Sequence, residues 1–162
     1  MAGQPSSPHV KPQVIRAIRD KLAAELAAIE NVAAATRSEV GNDETRQEGK
    51  YDTRATEASY LARGQAWRVV ELRQLKAWFD ALAPRTQTEA AVGALVAVDG
   101  PRVEHLFIAP VGGARVEVDG TTVRVISTKS PLGAELAGLE EGDGFEVETP
   151  RGRVEYEVLW VA

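Results

Sequence analysis

Apolar residues recur along the first half of the chain at steps of three and four, and along the second half at steps of two. From Pro12 to Val40, Ile15, Ile18, Leu22, Leu26, Ile29 and Val32/Ala33 fall on one side of a helix. Pro12 suits a first turn, because its missing N–H would have had no helical partner there. The flanking alanines, Ala23, Ala24, Ala27, Ala28 and Ala33–Ala35, are strong helix formers that let a second helix come close. Gly41-Asn42 reads as a stop signal followed by a possible N-cap. A second helix is expected from about Asp43 or Thr53 to Ala83, carrying Ala55, Ala58, Leu61/Ala62, Val69, Leu72, Leu75, Phe79 and Leu82, with Pro84 closing it. At 1.5 Å per residue each helix reaches roughly 45 Å, too long for an ordinary compact domain. A short connection makes the two antiparallel neighbours, a hairpin with its tip at about 41–50. Trp67 and Trp78 are expected to pack near its base.

From Val92 the alternation predicts strands at Val92–Val98, Val103–Ala109, Ala114–Val118, Thr122–Ser127, Phe145–Thr149 and Val154–Val161. Asp99-Gly100, Asp119-Gly120 and Arg151-Gly152 supply the turns. Val154, Tyr156, Val158 and Trp160 alternate with Glu155 and Glu157, which predicts a sheet covered on one face only. Ser130-Pro131-Leu132-Gly133-Ala134-Glu135-Leu136 interrupts the strands with a serine cap, a first-turn proline and spaced leucines, giving a short helix that can lie over the open face. The fold class is therefore α+β. The expected organisation is a flexible lead over residues 1–11, the hairpin over 12–83, a polar linker over 84–91 and the sheet domain over 92–162.

Composition narrows the chemistry. With 44% hydrophobic and 27% charged residues the 162-residue chain can bury a core. It has no cysteine, so disulfides, thiol catalysis and thiolate-held metal are excluded, and His9 and His105 are too few and too far apart for a histidine zinc site. Residues 1–84 carry 12 basic and 11 acidic side chains and residues 85–162 carry 7 and 13, so the net charge of -5 resides in the second half. That balance argues against gripping duplex phosphates and suits a protein partner. The lead Met1–Pro8 lacks the basic and apolar regions of a signal peptide, and no apolar run is long enough to span a membrane, so the expectation is a cytoplasmic protein without membrane contact. Asp43, Glu44 and Glu48 crowd the hairpin tip; acids there also favour a helix N-terminus by about 0.3–1 kcal/mol each.

The stretch SPLGAELAGLEEGDGFEVETPRGRVEYEVLWV, residues 130–161, following a long hairpin, resembles the Gre family of bacterial transcript cleavage factors. The resemblance implies an FKBP-like antiparallel sheet domain with one short helix, docked on RNA polymerase. Ser130, Pro131, Leu132 and Gly133 would be the polymerase-binding residues, with the coiled coil in the secondary channel. It further implies that Asp43, Glu44 and Glu48 act as the catalytic and metal-contacting carboxylates. They would share the Mg²⁺ of the polymerase active site transiently, so that polymerase cleaves the 3′ end of backtracked RNA. Hard carboxylate oxygens suit Mg²⁺, and one temporary ligand can complete its octahedral shell. Such a factor would have no catalysis or cofactor of its own, would contact nascent RNA only inside the complex, would not bind DNA by sequence, and would act as a monomer. Family members carry Asp and Glu seven and four residues before a tyrosine; counted back from Tyr51 those places hold Glu44 and Gln47. Gln47 bears no charge, which leaves open a Gre-like regulator that occupies the channel without promoting cleavage. Two readings from other classes are a prolyl isomerase, on the FKBP-like fold, and a coiled-coil adaptor that self-associates.

Overall fold

The computed structural model describes residues 10–43 and 52–162, and for 36–43 and 52–62 only the course of the backbone. Helix α1 spans Lys11–Asp43 and α2 spans Asp52–Ala81. Six strands follow, β1 (Leu95–Asp99), β2 (Val103–Ile108), β3 (Arg115–Val118), β4 (Thr121–Ile126), β5 (Gly144–Thr149) and β6 (Gly152–Val161), with a short helix α3 (Pro131–Leu136) between β4 and β5. They form one sheet in the order β3-β4-β2-β1-β6-β5. Among the described residues no helix is long and apolar enough to cross a membrane.

The predicted stripes do the packing. Ile15, Ile18, Leu22 and Leu26 of α1 and Leu72, Leu75 and Phe79 of α2 are buried, and they join Leu95, Ala97, Phe107, Val123, Val125 and Trp160 in one core. Phe79 sits 5.2 Å from Phe107, centroid to centroid, and Trp78 meets Phe79 edge-on at 5.0 Å. Higher on the hairpin the two helices have only each other to bury against, so Ile29 and Val69 are half-buried and Val32 is 60% exposed. The reading of Trp78 near the base holds. That of Trp67 does not: it is 69% exposed, because its turn of α2 lies outside the stripe that faces α1.

Helix α1 does not stop at Gly41-Asn42 but continues to Asp43; an interior glycine costs only about 1 kcal/mol relative to alanine, too little to end a long helix by itself. At the other end of the hairpin, Arg19 of α1 closes the C-terminus of α2. Its Nε donates to the Phe79 carbonyl at 2.8 Å and an Nη to that of Leu82 at 2.9 Å. These are carbonyls a helix end leaves without a helical partner, and a cation is favoured beside them.

As expected, the short helix covers the face away from the hairpin: one face meets the hairpin, and the other carries Ala94, Val96, Val98, Leu106, Ile108 and Val158 under Leu136 of α3. The sheet differs from the expectation in two respects. It is not wholly antiparallel: β4 inserts between β2 and the edge strand β3, so β2 and β4 run parallel while β3 and β4 form a hairpin. Second, the alternation of β6 breaks. The partner of Ala97 is Trp160 and that of Val98 is Val158, so Leu159 is an extra residue in a bulge, and Trp160 passes to the face opposite Val158.

Two buried polar side chains mark the hairpin side. Lys11 is 5% exposed, and its ammonium donates to the backbone oxygens of Arg85 at 2.5 Å and Ala162 at 2.9 Å and to Gln87 Oε1 at 3.3 Å. Burial pushes its pKa down to about 8. His105 lies beside Trp160 with ring centroids 5.8 Å apart, and its Nε2, like Trp160 Nε1, has no hydrogen-bond partner. Burial lowers the imidazole below its ordinary value of 6.5. The unfolded chain takes up that proton more readily than the folded one, so stability is complete above pH 6.5 and declines as pH falls below it. Urea unfolding is expected to show lower stability at about pH 5 than at about pH 7.5, with a measurably smaller difference in His105→Leu.

Candidate docking groove on the α3 face

Ser130 organises the start of α3. It holds an extended conformation (φ -75, ψ 151), accepts from Gly133 N at 3.1 Å and donates its own hydroxyl proton to the Ser127 carbonyl at 2.7 Å. Pro131 then occupies the first turn, where its missing N–H costs nothing. Gly133 is buried because the turn passes so close that an added Cβ would lie 2.0 Å from Ser127 O. Behind α3, Ala90 N donates to Leu139 O at 2.7 Å and Gly138 N to Ala90 O at 2.7 Å, which ties the helix to the segment entering β1. Leu136 is fully buried and Leu132 half-buried in the core beneath.

In front of this turn opens a groove of about 680 Å³. It is lined by Pro131 and Leu132, by Glu148–Pro150 at the end of β5 and by residues 112–115. The lining includes an ion pair, Arg124 Nη1 to Glu104 Oε2 at 2.9 Å. Tyr156 is the one aromatic lining it among the described residues. That ring is held in place: it stacks on Phe145 with centroids 5.2 Å apart and 15° between planes, and it packs so tightly on the β1–β2 turn that a Cβ at Gly100 would fall 2.4 Å from Tyr156. The lining thus combines a paired Arg–Glu with polar and apolar side chains. The Ser130 hydroxyl is spent on capping, and a single tyrosine does not make the aromatic enclosure a proline pocket uses.

The four residues read as polymerase-binding thus divide by position. Pro131 is exposed, Ser130 and Leu132 are half-buried at the groove, and Gly133 is buried as the close contact that makes the turn possible. Of the tip carboxylates, Asp43 is the last residue of α1 and its side chain lies outside the described residues, as do Glu44 and Glu48 entirely, together with Gln47 and Tyr51. Among the described residues no three His, Asp or Glu side chains could hold a metal ion. Arg124 and Glu104 are features the sequence reading missed. Both occupy polar positions of alternating strands, Arg124 in TTVRVI and Glu104 in VEHLFI, which marks them as facing away from the hairpin core but not as facing each other.

The architecture defines a class: an α+β protein in which a long helical hairpin stands on one face of a mixed sheet and a capped short helix covers the other. Residues 111–162 match the family model described as transcription elongation factor, GreA/GreB, C-term. The match is confined to that C-terminal segment. It is 57% identical over 37 residues to transcription elongation factor GreA of Desulfovibrio desulfuricans, a stretch covering 23% of each chain. To GreA of Cereibacter sphaeroides it is 33% identical over 96 residues, 58% of this chain and 60% of that one. These matches span 60% or less of the relatives' own lengths. Among solved structures, the transcription factor Gfh1 matches over 90% of this chain and 93% of its own, at 22% identity and a TM-score of 0.38.

Replacing Ser130 by alanine is expected to cost about 1 kcal/mol, the usual loss for an N-cap. Gly133→Ala should cost about 3 kcal/mol because backbone atoms must move to admit the methyl group. Paired denaturation curves check both, with the larger loss expected for Gly133→Ala.

Proposed function

We propose that the chain is a transcription elongation factor that binds RNA polymerase, gripping it with the α3 face and extending the hairpin into the secondary channel. In this reading residues 92–162 hold the partner and residues 12–83 reach. The observation that carries it is the match of residues 111–162 to the GreA/GreB C-terminal model. That segment includes both Ser130-Pro131 and much of the groove lining. A 33-residue α1 supports the reach, about 50 Å from base to tip.

At the far end, Asp43, Glu44 and Glu48 would supply oxygens to the Mg²⁺ of the polymerase active site, which activates water for RNA hydrolysis. The chain's part is to bring carboxylates there; the hydrolysis belongs to polymerase. A second reading, channel occupancy without cleavage, is favoured by one observation, that Gln47 stands where the family pattern has an acid. The protein acts as a monomer in both.

The test is RNA shortening in backtracked complexes of the cognate polymerase. Cleavage that is lost in the Asp43→Ala, Glu44→Ala, Glu48→Ala triple variant, with binding retained, is the expected result. Competition with an authentic cleavage factor without any shortening selects the second reading, and absence of polymerase binding contradicts both.

A further inference from the structure

Two lysines ten residues apart on α1 bond to the rest of the fold at two separate places. Lys11, in the first turn, is buried and donates to Arg85 O, Gln87 Oε1 and Ala162 O, which belong to the segment after α2 and to the residue following β6. Lys21, with its side chain 39% exposed, donates to the backbone oxygen of Arg115 at the start of β3, on the opposite edge of the sheet from β5 and β6.

Helix stability does not explain the Lys11 contact, and Lys21, which also lies 3.9 Å from Glu25 one turn on, reaches beyond its own helix to the Arg115 carbonyl. A cation in the first turn opposes the helix dipole, and removing an ammonium from water carries a cost that here lowers the Lys11 pKa. Apolar packing also leaves the joint incompletely filled. An open cleft of about 540 Å³ lies beside Lys11, lined by Trp78, Leu82, Arg85, Gln87 and Val92. Apolar contacts are non-directional and tolerate small rotations of a helix over a sheet, whereas hydrogen bonds to fixed carbonyls do not.

We propose that Lys11 and Lys21 are positioning residues: together they form a two-point mount that sets the direction of α1 over the sheet, and so decides where the hairpin presents its tip. The two points lie about 15 Å apart along the helix axis, and Asp43 lies about 33 Å beyond the second. A displacement of 1 Å at Lys11, with Lys21 as pivot, therefore moves the end of α1 by about 2 Å. Arg19 carries α2 along with α1 through its bonds to Phe79 and Leu82, and Arg73 adds an ion pair to Glu30 at 2.9 Å. The consequence for transcription rests on the function proposed above; the mount itself does not.

The chain has no cysteine, so Ala34→Cys on α1 and Arg151→Cys in the β5–β6 turn give a unique pair of spin-label sites. Lys11→Met and Lys21→Met keep the aliphatic stem and remove the donor. Each is expected to broaden or shift the inter-label distance distribution, by about 1.3 Å at residue 34 for each 1 Å of freedom gained at Lys11. Circular dichroism should retain the helical signal. Lys21 is half-exposed, so its variant folds even if Lys11→Met does not. A Lys21→Met distribution superimposable on that of the parent protein overturns the mount, as does the same result for folded Lys11→Met. With polymerase, mount variants should bind like the parent but lose part of the hairpin's effect. If the parent itself has no effect on polymerase, the function proposed above fails while the distance measurement still decides the mount.

Discussion

The structure depends on one shared apolar core in which the base of the hairpin and the sheet bury the same surface. Phe79 of α2 and Phe107 of β2 meet at its centre, with Ile15, Ile18 and Leu22 of α1 alongside, all almost wholly excluded from water. Burying side chains of this size contributes about 1.5–3 kcal/mol apiece. Two helices of some 30 residues bury little of their surface against each other alone, and a sheet of this size has two faces to cover. Each solves the other's problem at the same contact. The upper hairpin, half-buried at Ile29 and Val69, is then held upright by what happens at the base.

Polar groups follow the same division. Near the base they face backbone oxygens: Lys11 and Lys21 hold α1 to the rest, and Arg19 satisfies the end of α2. On the α3 face they face each other and the groove, as Arg124 does with Glu104. The excess of acid in the second half lies from Glu135 onward; on β5 and β6, Glu146 and Glu155 lie directly across the ladder and Arg153 bridges toward Glu146 and Glu148. In the function proposed above, the α3 face would hold the partner and the hairpin would act at a distance from it.

Much of this was legible in the sequence because it is local. Steps of three and four located α1 and α2, alternation located all six strands, and Ser130-Pro131 announced the α3 cap. What escaped depends on partners far away in the chain. The bulge at Leu159 moves Trp160 to the other face, and nothing within β6 signals it. The parallel pairing of β2 with β4 is set by where β3 goes. Trp67 looks like core by type but sits off the stripe. Lys11 looks like an ordinary solvated lysine before a proline until the residues at 85, 87 and 162 are placed around it. The groove was legible only on the α3 side; its Arg124–Glu104 pair joins strands whose order the sequence does not disclose.

The central claim is that the hairpin base and the sheet form one cooperative body, so that the hairpin acts as a stiff lever. Native-state amide hydrogen exchange tests this most directly. The amides of Ile18–Leu26 and those of β1 and β2 should open with the same free energy and the same denaturant dependence, that of global unfolding. If the α1 amides instead exchange through a separate opening of lower energy while β1 and β2 stay protected, the hairpin is a loosely attached arm and the account is contradicted.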